Sequence, residues 1–123
     1  MGSMDDVYDL FQAGTRLLED GDFHAATVPL RRARDLEPDK SSIREALGRA
    51  LFQSRRYAGA AAEFAAVVEQ SPTNDFALFC LGRSLQQLGR HDEARHPLAL
   101  ACCLRPERSD YRLYRDRARK RAA

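Results

Sequence analysis

The feature of this 123-residue sequence that most restricts its fold is an internal repeat with a period of 34 residues. The residues that keep this interval are Gly14, Gly48 and Gly82, then Ala26, Ala60 and Ala94, and then Pro38, Pro72 and Pro106. Three residue types that share one period indicate three copies of one structural unit. Each copy must pack on its neighbours to bury a continuous core.

Every unit has the pattern of a helix, a turn and a second helix. Apolar residues at helical spacing surround the Gly, and a second such pattern ends just before the Pro, which cannot continue a helix. The Gly lets another helix approach closely, and the Ala does so from the opposite side. The predicted helices are 7–20 and 23–36, 41–54 and 57–70, 75–88 and 91–104, and a seventh at 109–120. The segment from Ser42 to Glu45, SIRE, predicts a capping box.

This pattern resembles the tetratricopeptide repeat, in which an aromatic residue is followed by Leu-Gly, Tyr, Ala, Phe and Pro. The corresponding residues are Leu10, Ala13, Gly14, Leu17, Ala26, Leu30 and Pro38; Arg44, Leu47, Gly48, Leu51, Ala60, Phe64 and Pro72; and Leu78, Leu81, Gly82, Leu85, Ala94, Leu98 and Pro106. The departures are Arg44 at the aromatic position, Leu for Tyr in all three units and Leu for Phe in two. The resemblance covers residues 7–107.

The resemblance implies an all-α fold, a right-handed α-solenoid with units at 7–40, 41–74 and 75–108. Residues 1–6 are expected to be a cloning remnant or a disordered start. Residues 109–123 are expected to form a capping helix and a basic tail, in which Tyr111, Leu113, Tyr114 and Ala118 cover the last unit. Without such a cover, the last unit of a repeat array exposes an apolar face.

Composition excludes several classes of protein. Hydrophobic residues make up 44% and charged residues 31%, which is ordinary for a folded domain. No apolar run approaches the roughly 20 residues of a membrane-spanning helix, and no signal peptide is evident. The three cysteines are an odd number, and two are adjacent, so no disulfide framework is implied. We therefore expect a cytoplasmic protein without a membrane partner.

The resemblance also implies which residues line the concave groove of the superhelix. Leu78, Leu81 and Leu85 are packing positions, so the surplus apolar residues of their helix belong to the groove. Applied through the 34-residue period, this predicts the partner-binding residues Tyr8, Phe11, Thr15, Arg49, Phe52, Phe76, Phe79, Arg83, Tyr114 and Arg117. Three of these, Arg49, Arg83 and Arg117, are equivalent and would form a ladder.

Aromatic and Arg side chains are typical of binding hot spots. We therefore expect a non-enzymatic adaptor or chaperone-like scaffold whose groove binds a peptide with apolar anchors and acidic residues. The competing interpretation of any one aromatic is that it packs against the next unit. The carboxylate clamp by which some family members hold a chaperone's C-terminus is missing, because its sites carry Phe11, Thr15, Ala46, Phe76 and Cys80.

Two other interpretations remain open. The chain could be a structural protein that associates with itself as a homodimer, which is common for short arrays with exposed faces. It could also contact nucleic acid, because eight basic and three acidic residues give Arg105–Ala123 a net charge of +5. Interspersed acids and the lack of a nucleic-acid motif weaken that second case. No catalytic residue, metal site or cofactor is predicted, since His91 and His96 are five residues apart and no nucleophile motif occurs.

Overall fold

The computed structural model of the chain describes residues 6–122, which form seven α-helices and no strand. The helices are α1 (Val7–Glu19), α2 (Phe23–Leu36), α3 (Ser41–Gln53), α4 (Tyr57–Gln70), α5 (Asp75–Gln87), α6 (His91–Leu104) and α7 (Ser109–Ala122). All seven predicted helices are present, and each begins at its predicted residue and ends within two residues of the predicted end. The predicted all-α repeat architecture is confirmed.

The helices pack as a linear array. Within each unit the two helices contact one another, and each second helix also packs on the first helix of the next unit, with α7 packing on α6. Helix α1 also contacts α3, and α5 contacts α7, while the Arg83 guanidinium of α5 lies 5.6 Å from the Phe52 ring of α3. The first helices and α7 therefore lie together on one side of the array, and we call this side the inner groove.

The repeated Ala and Gly residues form the closest helix contacts. Ala26, Ala60 and Ala94 are fully buried. Each repeated Gly faces the side chain sixteen residues further on, so that Gly48 lies against the ring of Phe64. The 34-residue period therefore exists because the same tight contact between two helices recurs in every unit.

Two local predictions about helix starts are wrong. Asp6, predicted to belong to the start segment, is the N-cap of α1, and its carboxylate accepts a hydrogen bond from the Tyr8 amide at 3.1 Å; residues 1–5 of that segment lie outside the described residues. The predicted capping box at Ser42 is absent because the N-cap position of α3 is Lys40, two residues before Ser42. Ser42 therefore lies inside the first turn, where its hydroxyl cannot cap the helix.

The C-terminal helix α7 packs on the third unit through Tyr111 and Ala118, which are both fully buried. Tyr111 stacks on Phe79 with ring centroids 4.5 Å apart. The prediction that Leu113 belongs to this covering face is wrong, since its side chain is 46% exposed. Leu113 follows Tyr111 by two residues, which turns it roughly 200° around the helix, away from the contact.

The two ends of the array are polar. In α1, Asp9, Gln12 and Arg16 stand 34 residues before Ile43, Ala46 and Ala50, which α3 buries. In α7, the positions equivalent to the core residues Leu78, Gly82 and Leu85 are occupied by Arg112, Asp116 and Arg119, and all three are exposed. Neither end of the described array therefore presents the apolar face that the equivalent inner helix buries.

The stability that α7 gains by packing on the third unit should decrease at alkaline pH. Tyr111 is buried and donates a hydrogen bond to Asp75 Oδ2 at 2.7 Å, and both effects raise the pKa of its phenol. Because the folded chain favours the protonated phenol, this stabilisation is complete below about pH 10 and is lost as the pH rises above that value. We expect the free energy of unfolding, measured in urea, to fall more steeply above pH 10 in the wild type than in Tyr111→Phe. Parallel curves for the two proteins would contradict this account.

Arg55 occupies a backbone conformation that suits glycine. Its φ is 63°, and the equivalent residues of the other units are Gly21 and Gly89, with φ of 81° and 77°. A side chain in this region costs about 1–2 kcal/mol, whereas the extra freedom of an unfolded Gly costs roughly 0.4–1 kcal/mol. We expect Arg55→Gly to raise the unfolding free energy by about 0.5–1 kcal/mol and Gly89→Ala to lower it by a similar amount. Thermal denaturation measures both changes, and a less stable Arg55→Gly would show that the turn is not strained.

Candidate functional site

The inner groove contains a central cavity of about 410 Å³ between the first two units and α5. Its lining residues are Leu18, Phe23, Arg49, Phe52, Gln53, Phe64, Phe76, Phe79, Cys80 and Arg83. Five of the ten predicted site residues are among them, namely Arg49, Phe52, Phe76, Phe79 and Arg83. The 34-residue period thus brings these five residues, from helices α3 and α5, to one cavity.

Aromatic rings form much of the wall of the central cavity. Phe64 is buried against Gly48, and its ring meets Phe76 edge to face at 6.5 Å. Phe76 keeps 37% of its surface exposed, so one side of this pair is open to the groove. Phe52 is held by an edge contact to Tyr57 at 5.2 Å. The wall is therefore apolar and braced from behind by packed residues, which suits an apolar ligand group.

Phe79 has a mixed role. Its ring stacks on Tyr111 and meets Tyr114 edge to face at 5.7 Å, so it helps to hold α7. It also lines the central cavity. Helix α5 has more apolar residues than its packing positions need, and the extra ones were assigned to the groove. Phe79 is one of them, and its packing on α7 explains part of this excess.

Arg83 is fixed by its surroundings. Its guanidinium carbon lies 3.9 Å from the ring centroid of Tyr114 and 5.6 Å from that of Phe52. Gln86 joins this arrangement, because its Nε2 donates to the Tyr114 carbonyl at 2.9 Å and its Oε1 accepts from Arg83 at 3.4 Å. Among residues 6–122, no carboxylate lies within ion-pair distance of Arg83. A half-buried guanidinium of this kind is ready to receive an external anion.

Cys80, on the wall of the central cavity, is not arranged as a nucleophile. Burial raises the pKa of its thiol to about 12, and Glu45 adds to the rise, although Arg49 and Arg83 oppose it. A thiol with this pKa stays protonated at neutral pH, whereas a reactive cysteine has a lowered value. Cys80 therefore contributes shape and polarisable surface to the cavity.

The remaining predicted residues lie in two smaller cavities. Tyr8, Phe11 and Thr15 line a shallow depression of about 370 Å³ on α1, which we call the α1 depression. The Thr15 hydroxyl already donates to the Phe11 carbonyl at 2.8 Å. Tyr114 and Arg117 line a cavity of about 280 Å³ between α5 and α7, which we call the α5–α7 cavity.

Arg83 lines both the central cavity and the α5–α7 cavity, so these two adjoin. Of the predicted ladder, Arg49 and Arg83 share the first cavity, and Arg83 and Arg117 share the second. Sequence reasoning missed Phe23 and Phe64, which belong to the second helices of their units. The aromatic residue that opens α2 was the available signal for Phe23.

Within residues 6–122, no cluster of three or more His, Cys, Asp or Glu side chains could hold a metal ion. No helix of the described residues is long and apolar enough to cross a membrane.

The comparisons with known proteins agree with the repeat pattern. A family profile described as tetratricopeptide repeat matches residues 11–75, and a second profile of the same description matches residues 63–96. No curated protein matched the chain.

Solved structures with the same fold include "MamA MSR-1 C2", which is 27% identical, with a TM-score of 0.88 over 95% of this chain and 67% of that chain. This chain thus spans about two thirds of that protein. "First TPR of Spaghetti (RPAP3) bound to HSP90 peptide SRMEEVD" is 16% identical, with a TM-score of 0.85 over 93% of this chain and 90% of that chain. "Arabidopsis OM64 TPR domain" is 17% identical, with a TM-score of 0.84 over 95% and 97%. At these last two identities the likeness shows the fold alone.

Proposed function

Because the chain belongs to the tetratricopeptide repeat family, whose members are typically protein-interaction scaffolds, we propose that it is a non-enzymatic module that binds a peptide segment in its inner groove. The observation that carries this proposal is the central cavity. Its wall is apolar, Phe76 is partly exposed within it, and Arg49 and Arg83 stand beside that wall. Aromatic anchors beside Arg are the chemistry of binding hot spots.

The ligand that fits this cavity is a peptide with one apolar side chain next to acidic residues. The apolar side chain enters the cavity between Phe52 and Phe76, and a carboxylate binds Arg49 or Arg83. The peptide bound in the structure titled "First TPR of Spaghetti (RPAP3) bound to HSP90 peptide SRMEEVD" is a precedent for peptide binding on this fold. Since the clamp residues are replaced here, we propose a different mode of recognition for this chain.

Self-association is the second candidate, and the ends of the array argue against one form of it. Stacking end to end would bury charged residues such as Arg16 on α1 and Arg112 on α7, which are both exposed. Burying charge without a partner is costly. A homodimer would therefore form through a side of the array, such as the groove, and light scattering over a range of concentrations would detect it.

A nucleic-acid function has less support. Several of the C-terminal cations are already neutralised, because Arg108 pairs with Asp110 at 2.7 Å and Arg115 pairs with Asp116 at 3.1 Å. Paired cations attract phosphate less strongly than free ones.

The groove is tested by selecting binders from a random peptide library on the immobilised chain and measuring their affinity by fluorescence anisotropy. We expect Phe76→Ala to weaken the selected peptides about tenfold or more, because it removes an open aromatic wall of the cavity. Val28→Ala is the matched control, since Val28 is a 64% exposed apolar residue of α2 that lines none of the cavities described above. Circular dichroism establishes that both variants fold. Equal affinities for Phe76→Ala and wild type would contradict groove binding.

A further inference from the structure

The two ends of the inner groove differ in charge. Glu19 and Arg16 line the α1 depression together, so the charges at that end balance. At the other end, Arg83, Arg117 and Arg121 line the α5–α7 cavity together with neutral polar groups. None of the described residues that line this cavity is acidic. The groove is therefore electropositive on the side of the third unit.

Two of these guanidinium groups are held in place by one ring. The guanidinium carbons of Arg83 and Arg117 lie 3.9 and 4.9 Å from the ring centroid of Tyr114. Stacking on an aromatic ring orients a guanidinium while leaving its N–H groups available to an acceptor. The α5–α7 cavity therefore presents donors in a prearranged geometry, which reduces the entropy lost on binding.

The cations of α7 differ between its two sides. Arg115 and Arg119 share Asp116, at 3.1 and 3.8 Å. Arg117, on the groove side, has no carboxylate within ion-pair distance among residues 6–122. Because Arg115 and Arg119 are neutralised and Arg117 is not, Arg117 keeps its charge for a ligand at the cavity.

We propose that the α5–α7 cavity binds the carboxylate side chains of an acidic stretch in the same peptide whose apolar anchor occupies the central cavity. This inference rests on the proposed function and adds a register to it, because the acidic stretch must lie on the third-unit side of the anchor. Since Arg83 lines both cavities, the anchor and the first acidic residue are close neighbours in the ligand. Acidic residues on the other side of the anchor would face Arg16 and Glu19 together and would gain no comparable attraction.

The test uses the random library on three proteins, the wild type, Arg117→Glu and Arg31→Glu. Arg31 is an exposed residue of α2 outside the cavities described above, so its reversal changes the net charge equally. We expect peptides selected on the wild type to carry Asp or Glu on one side of an apolar residue. Their affinity should fall about tenfold or more with Arg117→Glu, because an attractive contact becomes repulsive, and should be retained with Arg31→Glu. Arg117→Lys keeps the positive charge, so its affinity for the selected peptides should fall less than that of Arg117→Glu.

The outcomes separate this inference from the proposed function. Selected peptides without acidic residues, or with affinities that Arg117→Glu leaves unchanged, would overturn the acidic register while groove binding stands. Equal losses with Arg117→Glu and Arg31→Glu would also overturn it, because net charge alone would then explain binding. A third outcome is that the affinity of acidic peptides falls with Arg117→Glu but is unchanged by Phe76→Ala. This result would show that one peptide does not occupy both cavities, and it would overturn the proposed apolar anchor.

Discussion

Replacing Glu63 with alanine lowers the free energy of unfolding by about 3 kcal/mol, the range expected when one partner of a buried ion pair is removed. Glu63 lies in α4 and is only 4% exposed. Its two carboxylate oxygens bind Arg44, at 2.9 Å, and Arg34. The cluster joins the first unit to the second, because Arg34 comes from α2.

The loss is large because the variant leaves two guanidinium groups in a poorly solvated place without their common acceptor. Arg44→Ala should lower the free energy of unfolding by less, since Glu63 would still be paired with Arg34. Glu69→Ala is the matched control, as Glu69 is an exposed residue of the same helix. Urea denaturation followed by circular dichroism measures all three. A loss for Glu63→Ala no greater than that for Glu69→Ala would show that the ion cluster does not stabilise the junction.

Replacing Gly82 with alanine lowers the free energy of unfolding by about 2 kcal/mol, because overpacking of roughly 3 kcal/mol exceeds the gain of about 1 kcal/mol in helix propensity. A Cβ at this position would lie 2.4 Å from Cγ of Leu98, a fully buried residue of α6. The branched carbon of a buried Leu has little room to move, so the two helices must separate.

Gly59→Ala is the control for this prediction. The nearest atom to its added Cβ would be a Leu51 methyl at 3.3 Å, which a small movement can relieve. The gain in helix propensity should therefore leave Gly59→Ala as stable as the wild type or more stable. If Gly82→Ala and Gly59→Ala had the same effect in urea denaturation, close helix packing would not explain the repeated Gly.

The helices could be predicted from the sequence because the 34-residue period records packing within and between units. Glycine is required at positions 14 and 48 because the side chains of Leu30 and Phe64 occupy the space that a Cβ atom would fill. The chain ends depart from the repeat, and the prediction was weaker there. Leu113 was assigned to the covering face, although its helix buries Tyr111 and Ala118 instead.

Contacts between different elements could not be predicted from the period. Arg44 was recognised only as a departure from the aromatic position, whereas in the structure its guanidinium binds Glu63 and donates through Nε to the Pro38 carbonyl at 2.6 Å. Phe23, which lines the central cavity, was missed because groove positions were assigned only on the first helices and on the seventh helix. Phe79 was expected in the groove, and its stacking on Tyr111 depends on how α7 packs, which the period alone does not give because α7 lacks the repeated Gly.

The most direct test of groove binding is a nuclear magnetic resonance titration of the isotope-labelled chain with a selected peptide. We expect amide shift changes to concentrate at residues of the central cavity, such as Phe52, Phe76 and Cys80, and exposed residues outside it, such as Arg31 and Arg95, to stay unchanged. A dilution series of the free chain excludes changes caused by self-association. Shift changes confined to residues outside the cavities of the groove, or spread evenly over the chain, would contradict the assignment of the inner groove as the binding site.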